Sequence, residues 1–435
     1  LKPKKKVLII TYYWPPSGGS GVQRWVKFCK YLPEFDIEPI VLTVKNGTYP
    51  LIDKTLLDEI APDLKVFHAK ALEPYNIFGK FTGKSSAQVS TPSTAFTQDG
   101  SIIKKLGIWI RGNFFIPDAR IGWTPFAFRK ATEIIKDYNI DTIITTGPPN
   151  STHLVGSKLK SNDPNINWIM DMRDPWSKIF YNEELPRTNL ASQIDLSLEK
   201  KCLKLADEVT LVSESMLPIQ KKIYNRDYLI INNGFDHEEF SKTSSSNKNK
   251  VLSIKYVGSM TEAAIPYNLF EALESLDKKY RKTLRIDLFG SINDRVVEII
   301  KSHGLNDIVY FNGYLPHLES KKEMESADIL LLVIPNTLDN ELIITGKIFD
   351  YIGAQKPILC IGPKHGDAAK LINELNLGSN FEYKEVDLLK IEIENLIEGT
   401  VKWKTSWEKE LKEHPFSRLE LTKALSRILY PTNLP

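Results

Sequence analysis

A chain of 435 residues is longer than one hydrophobic core ordinarily supports, so two domains are expected. Its 42% hydrophobic and 26% charged residues are those of a folded globular protein, which excludes disordered and fibrous classes. The 57 Lys and Arg residues against 54 Asp and Glu leave a formal net charge of +3, too balanced to argue for a nucleic-acid partner.

The basic start "LKPKKK" runs into a strand, not into a signal-peptide core, and no apolar run is long enough to span a bilayer. Cys29, Cys202 and Cys360 lie scattered in apolar segments without metal-ligand spacing. They read as reduced, buried thiols of a cytoplasmic protein, and neither a metal site nor a cofactor is expected.

The first predicted element is a buried strand over Val7 to Thr11. After it comes the loop "YYWPPSGGSG", and from Val22 the apolar residues Trp25, Val26, Phe28, Cys29 and Leu32 recur with helical spacing. Gly18, Gly19, Ser20 and Gly21 therefore precede a helix N-terminus, where free N–H groups favour an anionic or strongly polar ligand. A dinucleotide fingerprint begins here but fails, because Arg24 stands where its third glycine belongs. A plain strand-to-helix turn is the alternative.

Further buried strands are predicted at Thr142 to Thr145, Trp168 to Met170, Val209 to Val212 and Leu229 to Ile231. The polar stretch Ser241 to Lys250 reads as a linker, and the rhythm restarts at Leu252 to Val257, Leu284 to Phe289, Ile308 to Phe311, Ile329 to Ile334 and Pro357 to Ile361. This predicts an α/β protein of two Rossmann-like, doubly wound parallel-sheet domains facing a central cleft, with a boundary near Phe235. The domains are drawn at 1–235 and 236–416.

Ser85 to Gly100, rich in Ser and Thr, predicts a mobile insertion. The stretch 102–115 that follows mixes Trp109, Phe114 and Phe115 with Lys104, Lys105 and Arg111. It reads either as a core helix with a charged edge or as a patch that meets an anionic membrane or lipid-linked acceptor.

In "IITGKIFDYIGAQKPIL", Thr345 is a candidate N-cap, Gly346 admits a ligand to the free N–H groups, and Lys347 adds a charge suited to a diphosphate. Asp350 follows one turn later, placed to accept from ribose hydroxyls. The alternative is a surface ion pair between Lys347 and Asp350.

From "YYWPPSGGSGVQRW" through "IPDARIGW", "TTGPPNSTH", "DMRDPW", "LEKKCLKLADEVTLVSESM" and "NNGFD" to "TGKIFDYIGAQKPIL", the chain resembles the family-4 retaining glycosyltransferases of GT-B fold. The resemblance implies a first domain that takes the acceptor, a second that takes a nucleoside diphosphate sugar, and a last helix, within 417–435, packed back on the first domain. It implies metal-independent transfer of a hexose-type sugar to an acceptor hydroxyl with retention, in cell-surface polysaccharide or glycolipid synthesis.

The family has two glutamates here, eight positions apart. Asp350 matches the second, while the first falls on Leu342, with Glu341 beside it out of register. The family's basic pair for the diphosphate is replaced by "GSMTEAAIPYN", where Gly258 and Ser259 are left to offer backbone and hydroxyl donors. A reaction-centre histidine of relatives corresponds to Arg173, followed by Asp174, and Lys347 completes the implied catalytic set. A buried Arg173–Asp174 pair holding the loop is the alternative. Trp176 reads as packing or a sugar-stacking face. Gly147, Asn150 and His153 are assigned to the acceptor or phosphate side, with a capped helix start as the alternative.

The expected partners are a nucleoside diphosphate sugar and a glycan or lipid-linked acceptor, with no nucleic acid and with peripheral contact to the inner face of the membrane through 102–115. Rival readings are a non-hydrolysing sugar-nucleotide epimerase and a non-catalytic nucleotide-sugar binding protein.

Overall fold

The computed structural model describes residues 4–72, 102–178, 185–241, 251–401, 403 and 407–430. The insertion expected at Ser85 to Gly100 and, apart from Ser241, the linker at Ser241 to Lys250 lie outside them. The chain forms two compact units, Leu1–Asn232 with Leu421–Pro435, and Asn233–Glu420.

The first unit runs β1 (Lys5–Ile10), α1 (Ser20–Tyr31), β2 (Ile37–Val44), β3 (Lys65–Ala69), α2 (Ile102–Phe114), α3 (Thr124–Tyr138), β4 (Thr142–Gly147), α4 (Ser151–Asn162), β5 (Asn167–Met172), α5 (Asn189–Leu205), β6 (Glu208–Leu211), α6 (Met216–Ile223) and β7 (Leu229–Ile230). The second runs β8 (Leu252–Val257), α7 (Tyr267–Glu274), α8 (Lys278–Arg281), β9 (Leu284–Phe289), α9 (Asp294–Ser302), β10 (Val309–Gly313), α10 (His317–Ser326), β11 (Ile329–Val333), α11 (Gly346–Gly353), β12 (Ile358–Ile361), α12 (Asp367–Glu374), β13 (Gly378–Phe381) and α13 (Val386–Glu398). Leu421, Leu425 and Leu429 of the final helix α14 (Arg418–Leu429) enter the core of the first unit beside Val22, Trp25 and Phe28.

Every ladder is parallel, in the orders β3-β2-β1-β4-β5-β6-β7 and β10-β9-β8-β11-β12-β13. Helices cover both faces, which is why central strands such as "VLII" and "ILLLV" are apolar at successive positions and wholly buried. The ten strands predicted above are present, and the further apolar run Pro39 to Val44 forms β2, each within three residues at each end. The two not foreseen, β3 and β13, are edge strands; "KVFHA" and "GSNF" are half-exposed and carry too little apolar alternation to signal themselves.

Strand order reverses between β1 and β4 in one sheet and between β8 and β11 in the other. In open parallel sheets, ligands bind outside the carboxyl ends of the strands at such a reversal. The loops after these four strands carry most of the residues singled out in the sequence, while Arg173 and Asp174 follow β5.

Candidate functional site

In the second unit, Thr345 occupies the N-cap position of α11 with extended backbone (φ −73°, ψ 147°). Its hydroxyl caps nothing: Oγ1 is shielded from solvent and has no hydrogen-bond partner among the described residues. The first-turn N–H groups thus keep the positive end of the helix dipole available to an anion. Lys347 reaches from this turn to the end of β8, where Nζ donates to the Tyr256 hydroxyl at 2.6 Å and to the Ser259 carbonyl at 3.3 Å.

Gly258 makes this approach possible. Its φ is +131°, and a Cβ there would stand 2.4 Å from Lys347 Cε. Among the described residues no carboxylate pairs with Lys347, and burial pushes its ammonium down to about 8. A cation with no counter-charge among the described residues, at an uncapped helix N-terminus, leaves room for an anionic group.

One turn on, Asp350 pairs with Lys321 of α10. Lys321 is buried and also lies 3.5 Å from Glu239 Oε2, whose same oxygen is 3.1 Å from His317 Nε2.

In the first unit, Gly21 stands beneath Arg173: a Cβ on it would be 1.1 Å from Nη1. Arg173 donates from Nε to the Gly147 carbonyl at 3.0 Å and from Nη2 to the Pro148 carbonyl. Its guanidinium thereby ties the loop after β5 to the loop after β4, against the first turn of α1.

Beneath it lies a buried ion pair, Arg24 Nη2 to Asp171 Oδ1 at 3.0 Å. Asp171 also accepts from Trp25 Nε1, Thr146 Oγ1 and Thr210 Oγ1 at 2.8–2.9 Å, while Arg24 donates to the carbonyls of Ile231 and Asn232. Burial would raise the Asp171 carboxyl, but Arg24 and the hydroxyl donors outweigh it and hold the group below its ordinary range. Asp118 caps α4 by accepting from the Ser151 amide and hydroxyl, both at 2.8 Å.

Solved structures share this architecture. HepE from Anabaena, in complex with UDP, covers 98% of the chain and 99% of its own length at 15% identity, with a TM-score of 0.65. The sucrose-phosphate synthase of Thermosynechococcus elongatus covers 98% of each chain at 12% identity with a TM-score of 0.62, and TarM covers 99% and 100% at 12% with 0.61. The chain has the GT-B fold. No protein-family profile and no curated protein matches it in sequence.

Within this GT-B fold several sequence expectations need correction. The ion pair between Lys347 and Asp350 does not form, because each side chain has a different partner. The Gly258 amide is not free for a phosphate: it donates to the Phe289 carbonyl at 2.9 Å, extending the β8–β9 ladder. Ser259 is exposed beside it. Gly346 begins α11, while Leu342, half-buried, and Glu341, exposed, share a short 3-10 turn ahead of it.

Arg173 and Asp174 form no buried pair; Asp174 is exposed, and Arg173 is held by carbonyls. His153 is fully buried, not open to an acceptor. Nδ1 meets Thr145 Oγ1 at 2.8 Å, and burial pushes the ring down to about 3, so it is neutral. Its Nε2 faces Gly147, where a Cβ would be 2.5 Å away. Asn150 sits at the N-cap position of α4 without capping it, since Asp118 does so. Trp176 is wholly buried and donates to Asp195 at 2.7 Å, which excludes sugar stacking.

Of the glycine loop, Gly18 donates to the Leu51 carbonyl, Gly19 (φ +107°) has open space around it, and Ser20 is exposed at the start of α1. Sequence reasoning missed Tyr256, Lys321, Glu239, Asp118 and the Arg24–Asp171 pair. Their partners lie far away in the chain, so no local spacing announces them.

Proposed function

We propose that the chain is a retaining glycosyltransferase that moves a hexose-type sugar from a nucleoside diphosphate sugar to an acceptor hydroxyl. The observation that carries this reading is Lys347, a cation without a counter-charge at the uncapped start of α11, with Asp350 one turn away. Lys347 and the N–H groups of Gly346 and Lys347 receive the diphosphate, and Asp350 accepts from the ribose. The comparable HepE was crystallised with UDP and with UDP-glucose, and WaaB is a lipopolysaccharide outer core galactosyltransferase.

As the sugar–phosphate bond breaks, charge collects on the leaving diphosphate and is met by donors already in place, which is the main catalytic device of this arrangement. The reaction calls on no metal and no cofactor. On the first unit, the uncapped start of α1 at Gly19 and Ser20, with Arg173 against its first turn, takes the acceptor side.

The acceptor is lipid-linked, as in glycolipid or cell-surface polysaccharide synthesis, and the protein meets the inner face of the membrane through α2. Leu106, Trp109, Ile110 and Phe114 form one exposed stripe of that helix, with Leu190 and Ile194 of α5 exposed as well. Asn113 ties the two helices by donating to the Pro186 carbonyl and accepting from the Thr188 amide. The charges of α2 are Lys104, Lys105 and Arg111, all basic, which selects an anionic surface. No helix of the described residues is long and apolar enough to cross a membrane.

Incubation with UDP-, GDP-, ADP- and dTDP-sugars and a lipid-linked acceptor tests the reading, with released nucleotide and the anomeric configuration of the product as readouts. Transfer with retention supports it. An altered sugar without released nucleotide establishes the epimerase, and binding without turnover establishes a binding protein.

A further inference from the structure

We infer that Lys321 is a positioning residue that fixes the Asp350 carboxylate for the ribose hydroxyls of the donor nucleotide. The inference deepens the donor-site reading above and rests on it.

Lys321 is 1% exposed, and a lysine is almost never buried so completely unless it is paired. Its ammonium lies between Glu239 and Asp350 and 5.4 Å from the centre of the Phe240 ring. His317 Nε2, one turn earlier on α10, lies 3.1 Å from the same Glu239 oxygen, and Glu239 flanks the inner side of Lys321. Asp350 is the outer member of this chain: its side chain is 24% exposed, against 2% for Lys321 and 8% for Glu239.

A carboxylate offers about four acceptor positions. Lys321 pairs with Oδ1, and no hydrogen bond to the Asp350 carboxylate is present among the described residues. The free oxygen can therefore accept from a vicinal diol. Lys321 locks its orientation from behind without touching the ligand. The sequence spacing of Lys347 and Asp350 suggests that they act as a pair; the structure gives each a separate support, Tyr256 and Gly258 for one, Lys321 for the other.

The test compares a ribonucleoside diphosphate with its 2′,3′-dideoxy form, using whichever of UDP, GDP and ADP binds the wild-type protein most tightly by calorimetry. A charge-assisted hydrogen bond to the diol predicts a wild-type preference of about tenfold or more for the ribo form. In Lys321→Met that preference should fall below about threefold while affinity for the dideoxy form changes little, because Lys347 still holds the diphosphate. Lys321→Arg should restore part of the preference, which loss of packing alone would not predict.

A full wild-type preference retained in Lys321→Met overturns the inference and leaves the donor site standing. No preference in the wild type, or no binding of any of the three, overturns the donor-site reading and this inference together. If Lys321→Met does not fold, Lys321→Gln decides: a full wild-type preference retained there overturns the inference.

Discussion

Gly258 and Lys347 occupy one another's space: at φ +131°, Gly258 leaves a gap that a Cβ would close to 2.4 Å from Lys347 Cε and 2.7 Å from Nζ. The flexible lysine could move, but only by leaving the place where it meets Tyr256. Gly258→Ala should therefore weaken binding of the best nucleoside diphosphate about as much as Lys347→Met does, roughly ten- to a hundredfold. Nucleoside affinity should be nearly unchanged in both. Calorimetric titration with diphosphate and nucleoside checks this, and equal losses for the two ligands would remove Lys347 from the phosphate site.

The Lys347 ammonium, lowered by burial to about 8, also sets a pH dependence. Diphosphate needs the protonated form, so affinity is highest below pH 8 and falls as pH rises above it, by up to about tenfold per pH unit. Binding at pH 9 should take up a proton, seen as a dependence of the measured heat on buffer ionisation enthalpy. Lys347→Met should abolish both effects.

Glu199 is fully buried and accepts from the Ser177 amide, and burial pushes its carboxyl up to about 7. A raised pKa means that its favourable contribution is complete below pH 4.5 and is lost as pH climbs through 7. Glu199→Gln, which keeps an acceptor without the charge, should stay within about 1 kcal/mol of wild type at pH 5 and exceed it at pH 8 by up to roughly 3 kcal/mol. Denaturant unfolding at the two pH values measures this; equal stability differences would show that Glu199 ionises freely.

Gly21 and Arg173 stand in the relation of Gly258 and Lys347. A Cβ on Gly21 would meet Arg173 Nη1 at 1.1 Å, so Gly21→Ala must push the guanidinium off the Gly147 and Pro148 carbonyls. Transfer should fall to the level of Arg173→Ala, and the double variant should lose little more, as coupled residues do. Additive losses in steady-state kinetics would mean that the two act separately. Gly19 differs, since open space surrounds it and its φ of +107° is what a side chain there would strain.

The exposed stripe of α2 predicts binding to anionic vesicles that weakens with salt and with joint replacement of Lys105 and Arg111 by Gln, each basic group being worth about 1 kcal/mol near the surface. Joint replacement of Leu106 and Trp109 by Ser should weaken binding at every salt concentration. Sedimentation with vesicles is the measurement. Equal binding by all variants would leave the stripe without a lipid role.

Strands and helices with strong apolar periodicity were legible in the chain because burial on both faces of a parallel sheet demands it, as in β1 and β11. Thr345, Gly346 and Lys347 were legible for a related reason: a helix start shows itself in consecutive residues. The sequence by itself therefore determined two doubly wound α/β units and the start of α11. Only the tertiary structure decided that Gly258 serves Lys347, that Gly21 serves Arg173, that Asp350 leans on Lys321 and that Arg24 is sealed against Asp171. Each of these depends on which strand ends the topology brings together across 29 to 152 positions of chain, Lys321 to Asp350 and Gly21 to Arg173 marking the extremes, and local pattern carries no information about such pairings.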